Sequence, residues 1–280
     1  MTVIGEISYT NILPFFFYLD RARLMKHSCR FVPQVPSQLN EAMAVGKVDV
    51  GGISSFAYAQ QPAAYTLLPD LSVSSYGKVG SIFLFSRVPL EELNEKRIAL
   101  TSSSATSVHL LKVILEYFYK LENTYTTMTP HLDKMLVEHD ACLLIGDDAI
   151  RATWNKGSHL YQYDLGELWY KHTGFPMVYA VFAVRNQLVF QDADIVGELY
   201  RSFLASKNKS IQLRHEPMIQ QIMSTIGGDK SFWDTYFAGL CYDFSEKEQQ
   251  GLLYYYKLVY ECGFLEKPVE TIHVWGSVRQ

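Results

Sequence analysis

Apolar residues along this chain fall into short runs separated by hydroxyl-rich turns, and the runs alternate between strand and helix periods. Residues 2–7, 30–35, 48–53, 67–74, 79–86, 97–100, 141–145 and 177–184 read as strands. Helical spacing is carried by 15–19, 36–45, 56–61, 108 to about 121, 130–138, 149–154 and 163–170. Ser37 is the expected N-cap of the 36–45 helix with Asn40 at its N3 position, and Asp164 opens 163–170. Four amphipathic helices, 193–206, 211–225, 229–240 and 246–262, complete the chain; the last has a tyrosine-rich face of Tyr254, Tyr255, Tyr256 and Tyr260. Such alternation predicts an α/β protein whose parallel sheets are covered by helices. Two units are expected, 1–85 and 90–175, with the long strands 79–86 and 177–184 crossing between them. The corresponding lobes are 1–86 plus 185–280, and 87–184.

The stretch from Arg97 to Leu115, RIALTSSSATSVHLLKVIL, organises the second unit. A strand ends in hydroxyl residues that lead into a helix, and six of the seven positions from Thr101 to Ser107 carry a hydroxyl. A helix start has unpaired N–H groups and partial positive charge, so this turn suits an anion or carboxylate. An ordinary N-cap stays open as the plainer reading, although a cap needs one hydroxyl. Ser54 and Ser55 close an earlier strand in the same manner, and Ser81 is a hydroxyl inside an apolar strand, which needs a partner if buried. Asn11 sits in a strand-to-helix loop, where open α/β sheets place ligands, although turn residues are often Asn. Gly146-Asp147-Asp148 is another strand-to-helix turn, either a helix cap or a polar pocket mouth. The expected cleft has Asn11, Ser54, Ser55 and Ser81 on one wall. Ser104, Ala105, Thr106 and Ser107 stand on the other, with Gly146 and Asp147 at the mouth.

Composition narrows the function classes. The 280 residues are 48% hydrophobic and 19% charged with a net charge of −4, and no dense Lys/Arg cluster offers a nucleic-acid surface. No run of about 18 apolar residues suggests a membrane span. The start, MTVIGEISYTN, lacks the basic and apolar segments of a signal peptide, so a cytoplasmic protein is expected. Four cysteines without a CxxC pair read as reduced thiols, and eight scattered histidines without an HxxxH or HExxH spacing predict no catalytic metal.

Several of these segments together resemble a known family. ISYTNILPF, VPSQLNEAMAVGKVDVGGISS, LLPDLSVSSYGKVGSIFLFS, SSSATSVHLLK, LLIGDDAI and YDLGELWYKHTGFPMVYAVFAVR are similar to the chorismate-dehydrating enzymes of the futalosine route to menaquinone. The likeness runs in order over about the first two thirds of the chain and fades after Asn186. It implies a two-lobed α/β fold of the type II periplasmic-binding-protein kind, with a ligand cleft between lobes joined by two crossing strands. It also implies chorismate as substrate, no cofactor, and substrate contact by Asn11 and Ser81. A sister family, the 1,4-dihydroxy-6-naphthoate synthases, carries a His-Glu-Gly turn where this chain has Gly146-Asp147-Asp148. That synthase and a non-catalytic small-carboxylate binding protein are the alternatives. A base is harder to find: Asp49, Asp147 and Asp148 each have an easier structural role, so the substrate's own enolpyruvyl carboxylate is the expected proton acceptor. A homodimer through the tyrosine-rich last helix is a further expectation.

Overall fold

The computed structural model describes residues 1–276. Ten strands form two sheets of five. The strands are β1 (Thr2–Ile7), β2 (Cys29–Gln34), β3 (Val50–Ser54), β4 (Tyr65–Ser75), β5 (Ile82–Ser86), β6 (Arg97–Thr101), β7 (Thr124–Met128), β8 (Ala141–Ile145), β9 (Tyr161–Asp164) and β10 (Met177–Arg185). The first sheet has the order β2-β1-β3-β10-β4 and the second β7-β6-β8-β5-β9. In each, the leading three strands are parallel, joined through helices.

Both sheets are mixed, not wholly parallel. β10 runs antiparallel to β3 and β4, and β5 runs antiparallel to β8 and β9. The two long apolar strands are therefore not the crossings themselves. β5 already belongs to the second sheet and β10 has returned to the first, so residues 82–86 and 177–184 lie on the opposite sides from those expected. The chain crosses earlier, at 76–81 and at 174–176. Burial explains both the misreading and the fold. β5 is buried throughout and β10 from Met177 to Val184, as strands covered on both faces must be, and such a run carries no period that fixes its direction.

The 76–81 crossing is firmly held. The Asp164 carboxylate, buried at the end of β9, accepts N–H bonds from Val79 (3.1 Å) and Gly80 (2.8 Å). It also caps the helix Leu165–Thr173 by accepting from Gly166 (2.9 Å) and Glu167 (3.1 Å). Ser75 Oγ bonds the Tyr179 hydroxyl at 2.9 Å, and the Tyr76 hydroxyl donates to Glu248.

The C-terminal helices close over this frame. Phe203, on the helix Ala193–Gln212, packs against Phe16 and Phe182 at ring distances of 5.3 and 5.1 Å. On the helix Glu246–Glu261, Tyr255 donates to the Thr106 carbonyl (3.1 Å) and Tyr256 to the Ser55 carbonyl (2.7 Å). Both rings are fully buried, so half of the tyrosine-rich face expected at a dimer surface is core of this chain. β7 and β9 were not legible as strands. They are short polar edge strands, TYTTM and YQYD, without an apolar run. The 36–45 helix starts at Pro36 behind Val35 with no side-chain cap; Ser37 is not its N-cap, and Asn40 turns instead to Ser54. Among the described residues, no helix is long and apolar enough to cross a membrane.

Candidate active site

Three helices that follow buried strands begin at one cleft between the two sheets. β3 feeds Ser55–Gln60, β6 leads through Ser102 and Ser103 into Ala105–Lys112, and β8 feeds Gly146–Asn155. Parallel strands point the following helix starts the same way, which concentrates positive dipole ends and N–H donors at one edge of a sheet. Asn11, Ser54, Ser81, Ser104, Ser107 and Gly146 all line this cleft. Its apolar walls come from Ile7, Ile12 and Val73 on one side and Ile82 and Ile145 on the other; Tyr9 and Tyr179 add rings. Sequence reasoning did not single out the two tyrosines, since nothing local distinguishes them from core aromatics.

Each hydroxyl has a defined local job. Ser54 caps its helix by accepting from the Ala57 N–H at 3.2 Å, and the Asn40 amide brackets it, donating to Ser54 Oγ (2.9 Å) and accepting from the Ser54 N–H (3.0 Å). Ser104 caps Ala105–Lys112 by accepting from the Ser107 N–H at 3.2 Å and donates its own proton to Ser107 Oγ at 3.1 Å. That leaves the Ser107 hydroxyl proton free to donate into the cleft. Gly146 has φ +58°, and a Cβ there would lie 3.0 Å from the Tyr9 ring, so glycine meets both the backbone conformation and the close approach. Its N–H donates to the Ser81 carbonyl at 2.7 Å, which ties the crossing segment to the start of the third helix.

Four candidate positions lie outside the cleft lining: Ser55, Ala105, Thr106 and Asp147. Ser55 Oγ donates to the Val178 carbonyl (2.7 Å) and meets Thr106 Oγ1 at 3.2 Å, while Thr106 Oγ1 accepts from the Phe56 N–H (3.1 Å). These two hydroxyls join the two helix starts to one another. Ala105 offers its carbonyl to His109 Nδ1 at 2.8 Å. Asp147 accepts from the Thr10 N–H at 3.2 Å, and Asp148 accepts from the Tyr9 hydroxyl at 3.4 Å. The pair therefore bridges to the Tyr9-Thr10 turn of the opposite half, where a turn-to-turn contact was not readable from local sequence.

The electrostatics are unusual for a site that suits an anion. Among the described residues no Lys, Arg, His, Asp or Glu lines the cleft, and the titratable side chains that do are Tyr9 and Tyr179. Burial pushes the Tyr9 phenol up to about 12, partly offset by a bond from Ser103, and burial raises Tyr179 far above the ordinary tyrosine range. Both stay protonated donors at neutral pH. Burial also raises Asp147, opposed by its bonds from Thr10, and raises Asp148, opposed by Arg151. His109 is stacked on Phe56 at 3.6 Å outside the cleft, and burial pulls it down to about 4. Charge in this cleft is met by hydroxyls and helix dipoles, with no counter-charge among the lining side chains. Among the described residues, no group of three His, Cys, Asp or Glu is placed to hold a metal ion.

Two α/β halves enclosing a hydroxyl-lined cleft, linked by two crossings, define the periplasmic-binding-protein architecture. The structure superposes on the aliphatic sulphonate binding protein of Escherichia coli with a TM-score of 0.69, at 14% identity, covering 100% of this chain and 93% of the other. The chain belongs to the menaquinone-biosynthesis family, whose model matches residues 2–261. A chorismate dehydratase of Thermus thermophilus is 34% identical over 199 residues, 66% of this chain and 70% of the relative. One from Campylobacter jejuni is 29% identical over 184 residues, 65% of this chain and 66% of the relative. The 1,4-dihydroxy-6-naphtoate synthase of Thermus thermophilus is more distant, 27% identical over 150 residues, 54% of this chain and 53% of the relative.

Proposed function

We propose that this cleft dehydrates chorismate to 3-[(1-carboxyvinyl)oxy]benzoate, a step in menaquinone biosynthesis, and that the substrate supplies its own base. The observation that carries the mechanism is the lining itself: many donors, no carboxylate and no imidazole. In the reaction the ring carbon that bears the enolpyruvyl ether gives its proton to the substrate carboxylate, and the C–H electron pair forms the new ring double bond as the neighbouring C–O bond breaks. The carboxyl group passes that proton to the leaving hydroxyl, which departs as water and leaves the carboxylate as it began. The ring becomes aromatic, so the elimination is strongly downhill. What remains for the protein is to hold the reacting groups in line and to stabilise charge as it develops.

The enolpyruvyl carboxylate hangs from the carbon that loses its proton, so folding it over that carbon makes the transfer intramolecular. Held geometry of this kind replaces a separate base efficiently. Helix starts at Ser54 and at Ser104 and Ser107 are the carboxylate cradles. Ser81 donates to the departing hydroxyl, and Asn11, from the facing loop, orients it. Asp147 and Asp148 stay with the Tyr9-Thr10 turn and take no part in proton transfer. Among the described residues no imidazole lines the cleft, whereas the naphthoate synthase reading calls for a histidine at the Gly146 turn, and the likeness to that enzyme is the weaker one. The enzyme works in the cytoplasm on a free small molecule, and no cofactor enters the reaction.

The test is incubation of purified protein with chorismate, without added metal or cofactor, followed by mass spectrometry. The expected product is lighter by one water and has benzoate absorbance. Chorismate recovered unchanged from a protein that binds it would replace this reading with a binding role.

A further inference from the structure

The helix Lys230–Gly239 lies far along the chain from every residue of the cleft, yet it reaches Ser81. Tyr236 is buried, packed among Trp233 and Phe237 with ring distances of 5.6 and 5.2 Å. Packing accounts for its ring and leaves its hydroxyl unexplained, because phenylalanine fills the same space without a polar atom to satisfy. That hydroxyl lies 3.1 Å from Ser81 Oγ, and among the hydrogen bonds of the described residues it is the one partner of each. The neighbourhood is shaped around the contact. Gly80 has φ +70°, and a Cβ there would meet the Tyr236 ring at 3.1 Å.

We propose that Tyr236 is the positioning residue for Ser81: it donates to Ser81 Oγ and so turns the serine proton into the cleft. The inference rests on the dehydratase reading of the cleft and names a residue that reading does not use. Two hydroxyls facing one another share one proton, and the more acidic one gives it. A phenol is more acidic than an alcohol, so Tyr236 donates and Ser81 accepts. With one lone pair occupied, Ser81 has its own O–H left for the cleft that it lines. A leaving hydroxyl needs a donor, and a serine without this partner rotates freely and presents a lone pair as readily as a proton. The carbonyl of Ser81 is held as well, by the Gly146 N–H at 2.7 Å, so the main chain beneath the side chain is anchored while Tyr236 holds its oxygen. Tyr236 touches no substrate and transfers no proton: burial raises its phenol well above the ordinary tyrosine range.

A double-mutant cycle on chorismate turnover tests this. Tyr236→Phe keeps the ring and removes the bond; kcat is expected to fall about tenfold, the weight of one hydrogen bond, with KM within roughly twofold. Ser81→Ala loses more, and Tyr236→Phe added to it costs nothing further, because there is no serine proton left to aim. A structural role for the tyrosine hydroxyl predicts the opposite, the same tenfold factor in both backgrounds, and that result overturns the proposal. So does a Tyr236→Phe enzyme with unchanged kcat beside an impaired Ser81→Ala enzyme. If Ser81→Ala itself turns chorismate over at the wild-type rate, the site reading fails, and the role of Tyr236 fails with it.

Discussion

Replacing Ser81 with alanine is expected to lower kcat for chorismate by roughly 100-fold, the usual effect of losing one preorganised donor to developing negative charge. Ser81 lines the cleft at the crossing between the two halves, with its carbonyl and its hydroxyl both bonded. Few groups in the cleft are so constrained, and a donor held in place before the reaction needs no reorganisation during it. Asn11→Ala, which removes the other lining side chain assigned to substrate contact in the proposed reaction, is expected to fall by a smaller factor, roughly tenfold, the weight of one hydrogen bond. Substrate affinity is expected to change less than kcat in both, because the proposed reaction assigns the carboxylates to the helix starts at Ser54 and Ser104. Steady-state kinetics of the two variants check this. Wild-type turnover by both would show that the reaction happens away from this cleft.

The second large effect is on stability. Asp164→Ala is expected to cost roughly 4 kcal/mol. About 1 kcal/mol of that is the lost N-cap of Leu165–Thr173, and the rest comes from the buried Val79 N–H and the half-buried Gly80 N–H left without their acceptor, at about 1–3 kcal/mol each. Relief of the carboxylate's own burial offsets part of this sum; burial raises Asp164 in spite of the backbone N–H groups that pull it down. The site has no slack with which to adjust. A Cβ on Gly166 would come within 2.4 Å of the Gly77 carbonyl, so the helix start already rests on the crossing segment. Asp164→Asn keeps one acceptor oxygen and is expected to lose about half as much. Urea denaturation of the three proteins measures it, and a loss below about 1 kcal/mol for Asp164→Ala would mean that water or a neighbouring group satisfies the freed N–H groups. Because Val79 and Gly80 lead directly into Ser81, turnover is expected to fall alongside stability.

Much of the cleft was legible in the sequence because its chemistry is local. A strand that ends in serine before a helix marks both a cap and a set of free donors, and Ser54, Ser104 and Ser107 line the cleft for that reason. Ser55 and Thr106 show where the same signal stops. Ser55 directly follows Ser54, and Thr106 lies between Ser104 and Ser107, yet both hydroxyls meet at the neighbouring helix start instead of the cleft, and neither composition nor spacing separates the two cases. Asp147 was hidden differently: its partner, the Thr10 N–H, lies on the other half of the molecule. The crossings were misplaced because β5 and β10 are apolar on both faces, and a strand buried on both faces carries no mark of which sheet it joins. Tyr236 and Asp164 were unreadable as site-supporting residues for the same reason as Asp147. Their roles exist only once distant segments meet.

The central claim is that no protein side chain takes the proton, and the pH profile of kcat for chorismate tests it most directly. The substrate carboxylates titrate near pH 4 and below, while Tyr9 is pushed up to about 12, so no group of the cleft changes charge between pH 6 and 9. The account predicts a kcat that stays flat across that interval. If Asp147 or Asp148 were the base, kcat would rise with pH through a carboxylate pKa that burial has raised, since only the ionised form accepts a proton. An Asp147→Asn or Asp148→Asn enzyme that still binds chorismate but no longer turns it over would contradict the account and assign the base to the protein.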